Sequence, residues 1–235
     1  TLFPYTTLFR SGLSIYLPNK DKINDEAEDK SVIYSVIEEN GKYGVKNQDE
    51  KVIVKPQYEQ VVIPNEHRGI FICDNDGEKT VVYNEKGSEI LKEYEAVKAI
   101  KLSNLLEEKY EKNAIIYQKN GKYGLLSITG KVILDAGFDD IKSATTNGVI
   151  FIKNNLYGEI STSGEVTLEA KYQDLKEVKE GKYIAKQNDK YGIIDNVGNE
   201  QLAFEYAGIT YNEKADLFFA EDSEYNTSII DDLYA

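Results

Sequence analysis

The pair Tyr-Gly occurs four times, as Tyr43-Gly44, Tyr123-Gly124, Tyr157-Gly158 and Tyr191-Gly192, and the last three copies are spaced 34 residues apart. A fixed period of this size marks a tandem array, whose units are each too small to bury an apolar side alone and are covered by their neighbours. Two degenerate copies fit the gaps, with Lys79-Thr80 and Thr227-Ser228 in the Tyr-Gly positions. Four further columns keep their character. Seven residues before the pair stand Val36, Ile72, Ile116, Ile150, Ile184 and Ala220, and eleven after it stand Val54, Ile90, Leu134, Leu168 and Leu202. Fifteen after it lie Tyr58, Tyr94, Phe138, Tyr172 and Tyr206, and eighteen after it Val61, Val97, Ile141, Leu175 and Ile209. A turn glycine recurs at Gly130, Gly164 and Gly198, with Gly87 one place late and Glu50 in the first unit.

These columns predict strands. Runs such as Ala114-Ile115-Ile116-Tyr117 and Val149-Ile150-Phe151-Ile152 are short and rich in β-branched and aromatic residues, and each is followed by an Asn/Gly/Asp turn of hairpin type. The expected unit has three strands and a short fourth segment, for example Phe138-Asp139-Asp140-Ile141. The glycine of each pair is expected to leave room for a neighbouring backbone or ring, and the tyrosines to stack from unit to unit. The expected fold is all-β: about six units of roughly 34 residues, arranged like a propeller, with an open superhelical array of hairpins as the alternative. Between the second and third units the spacing grows by ten residues around Leu102–Tyr110, where the helix-forming composition predicts a short surface helix. Gly158→Val is expected to lower the melting temperature, and Asp140→Ala to leave it unchanged.

The columns resemble the bacterial WG-repeat (KWG) family. The matching strings are Gly41-Lys42-Tyr43-Gly44 with Pro56-Gln57-Tyr58-Glu59, Gly121-Lys122-Tyr123-Gly124 with Gly137-Phe138-Asp139, and Lys190-Tyr191-Gly192-Ile193-Ile194-Asp195. The chain contains no tryptophan, and tyrosine fills the family's Trp position. The resemblance implies a β-rich repeat domain, common in exported or surface-attached proteins, and transfers no catalytic residue.

Residues outside the array divide into three stretches. Residues 1–11 read as a translated sequencing adapter and 12–18 as the remnant of a membrane anchor or signal segment. A charged linker follows over 19–31, and the repeat domain occupies 32–235, with the sixth unit expected to be cut short at the C-terminus. An upstream single membrane anchor, a monomeric state and an exported, surface-anchored location are the corresponding expectations, with a cytoplasmic location as the alternative.

Charge and composition narrow the function. Acidic residues outnumber basic ones by 41 to 28, for a net charge of −13, which argues against a nucleic-acid partner because phosphates would be repelled. One cysteine and one histidine exclude a disulfide framework and a histidine-rich metal site. Asp74-Asn75-Asp76-Gly77-Glu78 has the look of a calcium loop but reads better as a hairpin turn. Asp139-Asp140 and Asp231-Asp232 are adjacent carboxylates without a recognisable cleft. His67 and Cys73 lack the third group that a nucleophile pair needs, and Cys73 is expected to be a buried, inert thiol. No catalytic, cofactor-binding or metal residue is therefore assigned, and no cofactor is expected. The chain is read as no enzyme but a repeat module for binding or surface display, toward an unidentified protein or glycan. The alternatives are the targeting or regulatory region of an enzyme whose catalytic domain lies elsewhere, and an intracellular scaffold.

Overall fold

The computed structural model describes residues 32–76, 79–103 and 109–230. The adapter-like stretch, the anchor-like stretch, the linker over 19–31 and Asp231-Asp232 all lie outside the described residues. Every described element is a strand, and the strands form successive antiparallel meanders. Sheet one holds β1 (Tyr34–Glu39), β2 (Lys42–Asn47) and β3 (Val52–Tyr58). Sheet two holds β4 (Gln60–Val62), β5 (Phe71–Asp74), β6 (Val81–Tyr83) and β7 (Glu89–Ile90). Sheet three holds β8 (Ala96–Leu102), β9 (Tyr110–Lys119), β10 (Lys122–Ser127) and β11 (Val132–Phe138). Sheet four holds β12 (Asp140–Ala144), β13 (Val149–Lys153), β14 (Leu156–Ile160) and β15 (Val166–Tyr172). Sheet five holds β16 (Asp174–Lys179), β17 (Lys182–Gln187), β18 (Lys190–Asp195) and β19 (Glu200–Tyr206). Sheet six holds β20 (Gly208–Asn212), β21 (Leu217–Glu221) and β22 (Thr227–Ile230). A short parallel pairing, Ser143 with Lys101 and Ala144 with Leu102, joins sheets three and four.

The sheets are out of phase with the sequence repeat. The short fourth segment of each unit is the first strand of the next sheet, so each unit supplies strands to two sheets. The crossing takes one residue, Glu59, Asp139, Gln173 or Ala207, between adjacent strands. At each crossing the amide bonds to the next sheet, as in Asp139 N to the Ile152 carbonyl at 2.8 Å and Gln173 N to the Lys186 carbonyl at 2.7 Å.

Local chemistry explains the turns. The hairpins before the Tyr-Gly pairs close with two residues at positive φ: Asn40-Gly41, Asn120-Gly121, Asn154-Asn155 and Asn188-Asp189. Left-handed backbone is cheapest for Gly and Asn, and two such residues match the twist of the flanking strands. The turns that follow are held by a short polar side chain. Asn47 Oδ1 accepts from Asp49 N and Lys51 N, and Asp195 Oδ1 from Val197 N and Asn199 N.

The Tyr-Gly glycine faces a bulge. Tyr123 pairs with Phe138 and Leu125 with Leu134, so Gly124 opposes three residues. A Cβ on Gly124 would sit 2.5 Å from the Leu134 carbonyl oxygen and 2.7 Å from the Tyr117 ring. This is the close approach that the sequence predicts. Pro56, which has no N–H, falls in the equivalent bulge of sheet one, where the ladder needs no donor.

Two expectations are corrected. The Tyr-Gly tyrosines do not stack on one another; each lies opposite the aromatic of its own unit, Tyr43 with Tyr58 and Tyr157 with Tyr172. Ring pairs that join successive sheets include Tyr34–Phe71 at 5.0 Å, Tyr94–Tyr117 at 4.5 Å and Phe138–Phe151 at 4.8 Å between centroids. In the second unit the pair positions are Thr80-Val81 rather than Lys79-Thr80, because Val81 faces Cys73 as Gly124 faces Tyr117. The preceding turn is one residue longer there, which is why Gly87 comes late. Of the helix expected around Leu102–Tyr110, residues 104–108 lie outside the described residues, while Leu102 and Tyr110 belong to strands.

Five buried clusters join successive sheets. Val45, Val54 and Tyr58 meet Val61, Phe71 and Cys73 between sheets one and two, and Ile150, Leu168 and Tyr172 meet Leu175, Tyr183 and Ala185 between sheets four and five. Among the described residues no cluster joins sheet six to sheet one. The outward face of sheet one carries Ser35, Ile37 and Lys46. Lys46 takes the position that Leu126, Ile160 and Ile194 fill in the inner sheets, each of them buried. A polar outer face is what an end unit of an array requires.

Candidate functional site

A cleft of about 470 Å³ opens between sheets one and two, walled by Val36, Tyr43, Val61, Glu59, Asp74 and Asp76. Its parts come from fixed places in the repeat. Tyr43 opens β2, Glu59 is the crossing residue, Asp74 ends β5 and Asp76 lies in the turn after it. Glu59 is anchored, since its amide bonds to the Asp74 carbonyl at 3.0 Å and to Asn75 Oδ1 at 3.2 Å. Its carboxylate takes the Lys42 ammonium at 2.5 Å. No ion pair holds the carboxylates of Asp74 or Asp76 among the described residues.

Two of the equivalent tyrosines in later sheets, Tyr123 and Tyr191, are covered. Lys98 Nζ lies 5.5 Å from the Tyr123 ring centroid, and Lys186 Nζ lies 5.6 Å from that of Tyr191. No cation covers the Tyr43 ring among the described residues. The cleft therefore offers an aromatic face and two uncompensated carboxylates, a combination that attracts an ammonium or guanidinium group.

The structure scatters the other candidates. Asp139 is the crossing residue between sheets three and four. Its carboxylate accepts from the Asn154 amide at 2.6 Å and pairs with Lys122. The Lys122 ammonium holds its carboxyl below the usual value, the opposite of what a general acid needs. Asp140 turns instead to Lys142 at 2.5 Å. His67 is partly exposed and lies 4.0 Å from Glu66, whereas Cys73 is fully buried in the core between sheets one and two. Burial pushes the Cys73 thiol up to about 12. Asp74-Asn75-Asp76 forms a turn whose Asn75 side chain is engaged by Glu59, and its residues 77–78 lie outside the described residues. Among the described residues no group of three or more His, Cys, Asp or Glu side chains could hold a metal ion.

One polar cluster escaped the sequence reading. Glu159 and Glu177 are fully buried between sheets four and five. The signal was present in Glu159, which occupies a column filled elsewhere by Val45, Leu125 and Ile193.

Crossing strands, bulge-facing glycines and successive buried interfaces define a tandem β-repeat protein. Residues 43–66, 123–155 and 157–191 match the family described as WG containing repeat. Each of these three segments opens on the tyrosine of a Tyr-Gly pair. No curated protein matches the chain.

Proposed function

We propose that the chain is a non-catalytic binding module whose cleft between sheets one and two takes a lysine or arginine side chain from a basic partner protein. The observation that carries this reading is the uncovered Tyr43 ring beside Asp74 and Asp76. In sheets three and five the chain's own lysines lie over the rings of Tyr123 and Tyr191. The net charge of −13 adds long-range attraction for a basic surface and speeds its encounter. The proposed setting is outside the cell, where the same charge resists adsorption to anionic walls; fractionation of cells making the full-length protein tests this, and recovery in the cytosol would overturn it.

Fluorescence anisotropy with a labelled Lys-Ser peptide tests the cleft, with an Asp-Ser peptide as the control. The Lys-Ser peptide is expected to bind in a salt-sensitive way. Tyr43→Ala is expected to weaken binding about two- to five-fold, the worth of an exposed cation–π contact. Asp74→Asn with Asp76→Asn should weaken it further. Glu213→Gln with Glu224→Gln removes the same charge from exposed positions in sheet six and separates a local site from net charge. Equal affinity for the cleft variant and the sheet-six variant would overturn the assignment.

A further inference from the structure

Sheets four and five meet through a joint unlike the apolar interfaces around it. Glu159 on β14 and Glu177 on β16 have no exposed surface, and the hydrogen bonds they accept come from neutral groups. The hydroxyls of Thr145 and Tyr183 donate to Glu159 Oε1 at 2.5 and 2.7 Å, and that of Thr167 donates to Oε2 at 2.6 Å. The amides of Thr146 and Gly181 donate to Glu177 at 2.9 and 3.1 Å. Asn147 Nδ2 reaches the Tyr183 hydroxyl at 3.4 Å. Three of these bonds cross between sheets: Tyr183 to Glu159, Thr146 to Glu177 and Asn147 to Tyr183.

We propose that this joint is a proton-operated clasp: a proton held on Glu177 lets the 145–148 turn stay closed on the 180–181 turn, and its loss leaves a buried charge that loosens both. A carboxylate buried without a cation ionises only at a large desolvation cost. Burial drives the Glu177 carboxyl above its usual value, opposed by the hydrogen bonds it accepts from Thr146 and Gly181 and aided least by the charge of Glu159. A raised folded-state value means stability that is full below the unfolded-state value and lost as pH rises through the folded one. The clasp therefore closes in acid and slackens toward alkaline pH.

The ionisable groups that face the pair are few. β17 supplies Tyr183, whose hydroxyl is itself pushed up by burial and by both carboxylates. The 145–148 turn and Thr167 on β15 supply no charge. Beside the 180–181 turn, Lys179 is engaged by Asp216 at 2.7 Å, Glu180 is exposed, and Lys182 neighbours Tyr183 on the opposite face of β17.

Amide hydrogen exchange, corrected for intrinsic rates and followed from acidic to mildly alkaline pH, tests the clasp. In the native chain, protection at Thr146 and Gly181 is expected to fall with rising pH, by at most about tenfold per pH unit for one proton. The Asp189 amide, bonded to the uncharged Gln173 side chain, should hold steady. In Glu177→Gln the Thr146 and Gly181 protection should become insensitive to pH. The same slope in both proteins, or no slope in the native chain, overturns the proposal. If Glu177→Gln does not fold, infrared spectroscopy of the native chain labelled with carbon-13 glutamate decides. A protonated-carboxyl band that titrates above the ordinary glutamate range supports the clasp, and carboxyl bands that all vanish within that range refute it.

Discussion

Gly158→Ala tests the central packing claim, because the expected loss follows from distances. A Cβ at Gly158 would lie 2.7 Å from the Leu168 carbonyl oxygen, 2.8 Å from Phe151 Cζ and 2.9 Å from Ala170 N. Two of these neighbours are backbone, so β15 must retreat from β14 by roughly 0.7 Å to regain ordinary contact. Such overpacking costs about 1–3 kcal/mol, offset by the 0.5–1 kcal/mol or so that alanine gains over glycine within a strand. A net loss of about 1–2 kcal/mol corresponds to a melting temperature lower by about 2–8 °C in a chain of this size. Valine, with two more carbons to place, should lower it further. Gly208→Ala is the matched control: it also lies in a strand, outside the left-handed region, and nothing stands within 4 Å of its Cβ position. Its melting temperature should stay level or rise slightly. Calorimetric melting of both variants beside the parent chain decides the matter. Equal shifts for Gly158→Ala and Gly208→Ala would refute the claim that the pair glycine exists to admit the bulge.

Two further outcomes follow from the electrostatics. Asp139 is held below its usual carboxyl value by Lys122 and by the Asn154 amide, so its contribution is present above the unfolded-state value and lost as pH falls through the folded one. Acid unfolding of Asp139→Asn should therefore show a weaker pH dependence below about pH 4 than the parent chain, and identical acid-unfolding curves would contradict this. Cys73, buried with its thiol pushed up to about 12, should resist maleimide in the native state at mildly alkaline pH and label only as the interface between sheets one and two opens. Rapid labelling of the native protein would contradict this.

The array was legible because its determinants are local and repeated. Left-handed turns favour Asn, Asp or Gly at Asn120-Gly121 and Asn188-Asp189, and the bulge demands glycine at Gly124, Gly158 and Gly192; both requirements write themselves into columns. The position of the sheet boundary was not legible. The one-residue crossing at Asp139 or Gln173 has no fixed residue type, because what it supplies is an amide, and every residue but proline has one. The second unit misled by a single position because its longer turn ahead of Val81 keeps the overall spacing while shifting the pairing. The cleft residues were visible only as scattered acids: Asp74 and Asp76 were weighed as a calcium loop, and their relation to Tyr43 depends on how sheet two packs on sheet one. The Glu159–Glu177 joint was hidden for the same reason, since the two acids are 18 positions apart in the chain and meet only across an interface.

The one-residue crossings also govern how the molecule bears load. A crossing such as Gln173, flanked directly by β15 and β16, stores no slack, so neighbouring blades cannot drift apart on a tether while each keeps its fold. Pulled from its ends, the array must yield by tearing strands out of their ladders, one blade after another. An extension trace would then show a train of separate force peaks instead of a single give.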